Sequence, residues 1–160
     1  MTMTDATFEQ GAERALTLRA EAAEDVPVIS ALVQDAVLPI TELRWDRKAR
    51  KLALLLNRFR WEDRGFAEDQ GRAYERVQTL LMIGGVLAVS SQGIDRGDVQ
   101  TVLSVLSLNW EPGVDGAGRV VLTLAGDGAI AAEVECLDLV LKDVTRPYLA
   151  PSGKVPSHPE

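Results

Sequence analysis

The chain predicts an α+β fold that is mostly β: one N-terminal amphipathic helix packed on an antiparallel, strongly twisted sheet or partly closed barrel of about seven or eight strands. Three features of its 160 residues lead there. A single N-terminal stretch sets its apolar residues at helical spacing without a competing strand reading. From Ile40 onward, apolar and polar residues alternate with the period of two that a strand with one buried face requires. Glycine pairs and short polar runs interrupt those stretches at hairpin spacing. With 46% apolar and 26% charged residues, the composition is that of one globular domain, placed at residues 15–145, with 1–14 and 146–160 as flexible tails.

In chain order, ALTLRA alternates Leu16, Leu18 and Ala20 as a short strand. A helix follows over roughly Asp25 to Val37, with Val26, Ile29, Leu32, Val33 and Ala36 on one face. Asp25 serves as its N-cap, Pro27 suits its first turn and Pro39 stops it. TELRW and KLALLLNRF are strands about the polar turn DRKAR. Leu52, Leu55, Leu56 and Phe59 also fit helical spacing, but a β-type run and a short turn directly before them favour the strand. AYERVQTLLMI and VLAVSSQ flank Gly84–Gly85, a hairpin pattern. TVLSVLSLNW sets Val102, Leu106, Leu108 and Trp110 on one face and ends at EPGVDGAG. RVVLTL and AIAAEVEC form a second hairpin about Gly126-Asp127-Gly128, with Val120, Leu122 and Leu124 facing one way, and Ile130, Ala132, Val134 and Cys136 doing the same on the next strand. LDLVLKDV extends that strand past a bulge. Pro147, Pro151, Pro156 and Pro159 make the C-terminal stretch too proline-rich to pack.

Little in the chain points to catalysis. The one histidine, His158, lies in the proline-rich tail, where no nucleophile system can hold it rigidly. One cysteine and one histidine exclude structural zinc on ligand count, and neither DRGD nor DGAGR has the spacing of a calcium loop. GGVLAVSS and GVDGAGR lack the features of a phosphate loop and read as turns. Glu133 and Glu135 share one face of a strand, as a carboxylate pair for acid/base work would, but they alternate with apolar residues as a solvent face does. On that alternation Cys136 is a buried, inert thiol. No cofactor and no metal are expected. The N-terminus lacks a secretory pattern and no window has the apolar length of a membrane span, so the expectation is a cytoplasmic protein without membrane attachment.

The net charge of −7 weighs against a general nucleic-acid coat, yet it is unevenly spread. Residues 42–76 hold ten Lys or Arg against seven acids, a local +3 that leaves −10 elsewhere. Within that segment NRFRWED alternates cation and aromatic. In strand geometry Leu52, Leu54, Leu56, Arg58 and Arg60 share one side, so the strand begins as core and emerges at Asn57–Arg58. Arg58, Arg60 and Trp61, with Arg72 and Arg76 on the neighbouring strand, are the candidate binding residues: paired guanidinium groups hold a phosphate or carboxylate bidentately, and the indole stacks on a ring. The competing reading pairs these arginines with Glu62, Asp63 and Glu75 and closes the core with Phe59 and Trp61.

The segments AEDVPVISALVQDAV, ALLLNRFRWED, YERV, GVLAVSSQGIDR, LSLNWEPG and EVECLDLVLKDV, in that order, resemble a family of small alphaproteobacterial proteins of unknown function over about residues 15–145. The resemblance implies a free-standing single domain and supplies no catalytic residues. The leading expectation is a non-enzymatic binding or accessory protein that contacts a protein partner or an anionic small molecule through the Arg58/Arg60/Trp61 strand end. RNA binding by a basic sheet surface is second, and a carboxylate-dependent enzyme third.

Overall fold

Residues 15–60, 75–144 and 148–149 are described by the computed structural model of the protein. The chain runs through β1 (Thr17–Ala20), a 3-10 turn (Ala23–Asp25), α1 (Val26–Val33), β2 (Val37–Pro39), a 3-10 turn (Ile40–Glu42), β3 (Leu43–Asp46) and β4 (Lys51–Phe59). It continues through β5 (Glu75–Ile83), β6 (Val86–Gln92), β7 (Val102–Pro112), β8 (Gly118–Leu124), β9 (Gly128–Val134), β10 (Leu139–Asp143) and β11 (Tyr148–Leu149). The strands form one sheet in the order β1-β10-β5-β4-β2-β7-β8-β9-β6, with β3 beside β4 and β11 beside β5. Every pairing is antiparallel. The two ends of that order, β1 and β6, do not pair with each other, so the sheet stays open. The mostly β, α+β architecture with one helix on an antiparallel sheet is therefore the one expected.

β4 is a strand because its leucines serve two sides at once. Leu52, Leu54 and Leu56 are fully buried in the main core, while Ala53, Leu55 and Asn57 on the other face are half-buried. The turn before it is held by Asp46, whose Oδ1 accepts the Ala49 N–H at 3.0 Å, and by Arg50 at φ +56°. The β8–β9 hairpin about Gly126 and Asp127 has the register expected, Gly118 opposite Val134 through Leu124 opposite Gly128. Val120, Leu122, Leu124, Ile130, Ala132 and Val134 all face the core.

Five local expectations are corrected. The helix ends at Val33 rather than Val37: Asp35 turns left-handed at φ +66°, and Val37 leaves to pair with both Asn57 and Ser104. Cross-strand pairing offers Val37 and Leu38 more than another turn of helix would. Asp25 makes no side-chain capping bond: it closes the 3-10 turn before α1 with its backbone already helical (φ −85°, ψ −18°) rather than in the extended conformation of a capping residue. Gly84–Gly85 is a corner and not a hairpin. β5 already has β4 and β10 as neighbours, so β6 leaves to pair with β9. The ribbon bends there, held by Gly84 N–H to Asp138 O and Glu135 N–H to Gly85 O. The partner side of the same corner is residues 135–138, so β10 is not β9 continued past a bulge but a strand on the other half of the sheet. Cys136 sits at that corner and is exposed, since β9 ends two residues earlier and the alternation stops with it.

In β7 the register against β8 slips between Val105 and Ser107, leaving Leu106 as the extra residue of a bulge. Leu103 and Val105 point inward before it and Leu108 after it, while Val102 and Leu106 are exposed. One extra residue inverts the parity, so of the four side chains expected on one face Leu108 and Trp110 turn to the core while Val102 and Leu106 do not. α1 packs across β7 and β4 through Val26, Ile29 and Val33. Its Ser30 Oγ accepts the Leu108 N–H at 2.9 Å just beyond the bulge.

Candidate functional site

The apolar row along β4 stays in the interior past Asn57. Arg58 has 0% of its surface exposed and Arg60 2%, so the strand does not emerge where arginine replaces leucine. Register explains the first of these. Leu56 lies opposite Thr79, and Thr79 lies opposite Asp143, so Arg58 reaches a polar row that crosses β4, β5 and β10 on one face. Arg58 Nε donates to Thr79 Oγ1 at 2.9 Å, Nη2 to Asp143 Oδ1 at 2.9 Å, and Nη1 to its neighbour's carbonyl, Phe59 O, at 3.1 Å. Asp143 Oδ1 also accepts the Thr79 hydroxyl at 2.8 Å, and its Oδ2 accepts the Leu16 N–H at 2.8 Å. Both side chains of the Arg58–Asp143 pair are fully enclosed. Such a pair persists only because partner and hydrogen bonds offset the cost of desolvating two charges. Its role here is to clamp the start of β1 to β10, where Asp143 N–H and Leu16 O bond as well, at 2.8 Å.

Arg76 lies on the opposite side of the sheet. Val77 is opposite Arg58, so Arg76 falls opposite Phe59, with its guanidinium 4.1 Å above the Phe59 ring. Its Nε donates to Asn57 Oδ1 at 2.7 Å. Arg58 and Arg76 cannot converge on one phosphate or carboxylate through the sheet between them. Trp61 and Arg72 lie outside the described residues, as do Glu62, Asp63 and His158. The structure therefore does not assemble the candidate residues into one exposed surface among the described residues. Glu133 and Glu135 are each engaged by an arginine: Arg119 Nε donates to Glu133 Oε2 and Arg50 Nη1 to Glu135 Oε2, both at 2.6 Å.

The basic excess that reaches solvent is on the β3–β4 hairpin. Residues 43–51 carry Arg44, Arg47, Lys48, Arg50 and Lys51 against the single acid Asp46, and all five cations are exposed. Among the described residues only Arg50 of the five holds an ion pair, with the exposed Glu135. Beside the hairpin lies a cavity of about 340 Å³ lined by Trp45, Arg47, Arg50 and Val86–Val89. Its walls are thus one aromatic, two cations and the start of β6. A second cleft of about 450 Å³ lies between α1 and β7, from Val26 and Ser30 to Leu106 and Trp110, and no charged side chain lines it. Trp45, Arg47 and Arg50 of the first cavity were visible in the sequence as part of the basic segment, but they read there only as the end of the strand TELRW and the polar turn DRKAR. What brings β6 to it is the Gly84–Gly85 corner, ending in a Val86 N–H that donates to Arg50 O at 2.9 Å.

A family model described as a protein of unknown function, DUF2948, matches residues 16–158. The chain belongs to the DUF2948 family. Neither a curated protein nor a solved structure matches it. For this DUF2948 chain the match takes in every described residue but the first, and it runs on into the proline-rich stretch beyond the domain boundary expected at residue 145. Tyr148 and Leu149, within that stretch, pair as β11 with Arg76 and Glu75 of β5. No helix among the described residues is long and apolar enough to cross a membrane.

Proposed function

We propose that this DUF2948 chain is a non-catalytic, cytoplasmic binding protein that holds an anionic partner at the cavity between the β3–β4 hairpin and β6. The reading keeps the class expected from the sequence and moves the surface, from the enclosed Arg58 and Arg60 to Trp45, Arg47 and Arg50. The observation that carries it is the setting of two exposed arginines and an indole on one cavity of about 340 Å³ in a chain of net charge −7. A concentrated positive field on an acidic protein favours anionic partners and speeds their encounter. The Arg50–Glu135 pair is no obstacle: both side chains are about half exposed, so the pair contributes at most about 1 kcal/mol and a ligand carboxylate can take Glu135's place.

Fluorescence anisotropy with a labelled oligo-glutamate peptide and the full chain tests this. Binding should weaken as salt rises, and Arg47→Glu should abolish it. Lys142→Glu makes the same change of charge at an exposed position of β10, separated from the hairpin by β5, and should leave most of it. Equal losses from the two variants, or none from Arg47→Glu, overturn the reading. Stronger competition by single-stranded RNA than by the peptide would replace it with the RNA-binding one.

A further inference from the structure

We propose that β6 accepts an extended acidic segment of a partner protein as an added strand. This rests on the reading of the hairpin cavity as a site for an anionic partner and names how that partner is held. Among the described residues β6 ends the sheet, and β9 is its only hydrogen-bonded strand neighbour. Its sequence, Val-Leu-Ala-Val-Ser-Ser-Gln, contains no charge and no proline. Edge strands that must stay alone are guarded by lysine, proline, bulges or shortness. β6 carries one such device, a bulge between Val86 and Ala88, which leaves Ala88–Gln92 in regular register with β9. The other terminal strand, β1, is guarded differently. It has four residues, and its exposed Arg19 reaches Glu21 and Asp138.

The open side of β6 is lined for a segment of opposite charge. Alternate residues of an edge strand turn their N–H and C=O groups outward, and the first outward group is already used, Val86 N–H to Arg50 O. Beyond that bond the cavity opens between β6 and β3, and among the described residues β3 is itself paired on one side only, with β4. A smaller cavity of about 40 Å³ continues along the same seam, sharing Val89 and adding Leu43, Ile94 and Arg96. An extended chain laid along the seven residues of β6 would run about 20 Å. It would have Arg47 and Arg50 at one end, Arg96 at the other, and apolar side chains between. Main-chain bonds would supply affinity, and the alternate side chains specificity, as in strand addition generally. A second copy of the chain fits less well, because its own β6 brings no acid to the three arginines.

The test starts from a random peptide library displayed on phage and selected on the full chain. A winning peptide is then made with and without backbone N-methyl groups. The expected pool is acidic with alternating apolar residues, and the plain peptide protects amides of β6 from hydrogen exchange. N-methylation should weaken it about tenfold or more, by removing several main-chain bonds, and Arg47→Glu should weaken it similarly. If the N-methylated peptide binds equally well, or protection falls outside β6, strand addition is overturned while anionic binding at Arg47 stands. A pool that is not acidic and is indifferent to Arg47→Glu overturns both. A peptide-free dimer in sedimentation that protects the same β6 amides also overturns the proposal, with a second copy as the occupant.

Discussion

Converting Asp143 to Asn is the sharpest test of the reassignment of Arg58 from binding residue to internal clamp. The carboxylate accepts three hydrogen bonds, from Arg58 Nη2, the Thr79 hydroxyl and the Leu16 N–H, at 2.8–2.9 Å. An amide keeps one oxygen and turns the other into a donor, which must then face either the guanidinium or Leu16 N–H. The Arg58 guanidinium, with 0% of its side chain exposed, loses its ion pair with Asp143. Breaking a buried pair from one side costs about 3–5 kcal/mol, a large share of a domain's roughly 5–15 kcal/mol. With a urea m-value of about 1.5–2 kcal/mol per molar, the unfolding midpoint should fall by roughly 2 M. Arg58→Met should lose a similar amount. The triple variant Arg58→Met/Thr79→Val/Asp143→Leu leaves no orphaned charge on that row and extends the apolar face of Leu52, Leu54 and Leu56, so it should recover most of the loss. Urea unfolding followed by circular dichroism reads all three. Single-variant losses below about 1 kcal/mol, or a triple variant that loses as much as the singles summed, would refute the reasoning.

Other consequences are simpler to measure. Gly93→Ala should destabilise by about 2 kcal/mol or more, because φ is +68° and an added Cβ would meet Asp127 O at 2.7 Å; Gly116→Ala, at φ +83° but in open space, should lose only about 1 kcal/mol in the same urea assay. Cys136 is exposed at the corner and should react with a thiol reagent in the native chain about as fast as in the urea-unfolded one; protection in the native state would contradict its placement. Ser30→Ala removes the acceptor for Leu108 N–H beside the β7 bulge and should lower stability by about 1 kcal/mol, with Ser30→Thr retaining part of it.

The sequence by itself determined most of the strands, all but β2 and β11. The alternation through β8 and β9, the turn at Asp46–Arg50 and the burial of Leu52, Leu54 and Leu56 follow from local periodicity and turn chemistry, which act over a few residues. Pairing partners are a different matter, because a strand's edge bonds do not depend on its own side chains. Only the tertiary structure decided that Gly84–Gly85 is a corner, that the Leu106 bulge reverses the faces of β7, and that Val37 joins the sheet rather than the helix. The same limit governed the candidate site. Periodicity put Arg58 on the leucine face, but whether that face meets water or Asp143 depends on a residue 85 positions away. The exposed cations of the β3–β4 hairpin were in view as a charge excess and became a cavity only when the corner carried β6 alongside them. Long-range pairing brings these residues together, and no short window of sequence records it.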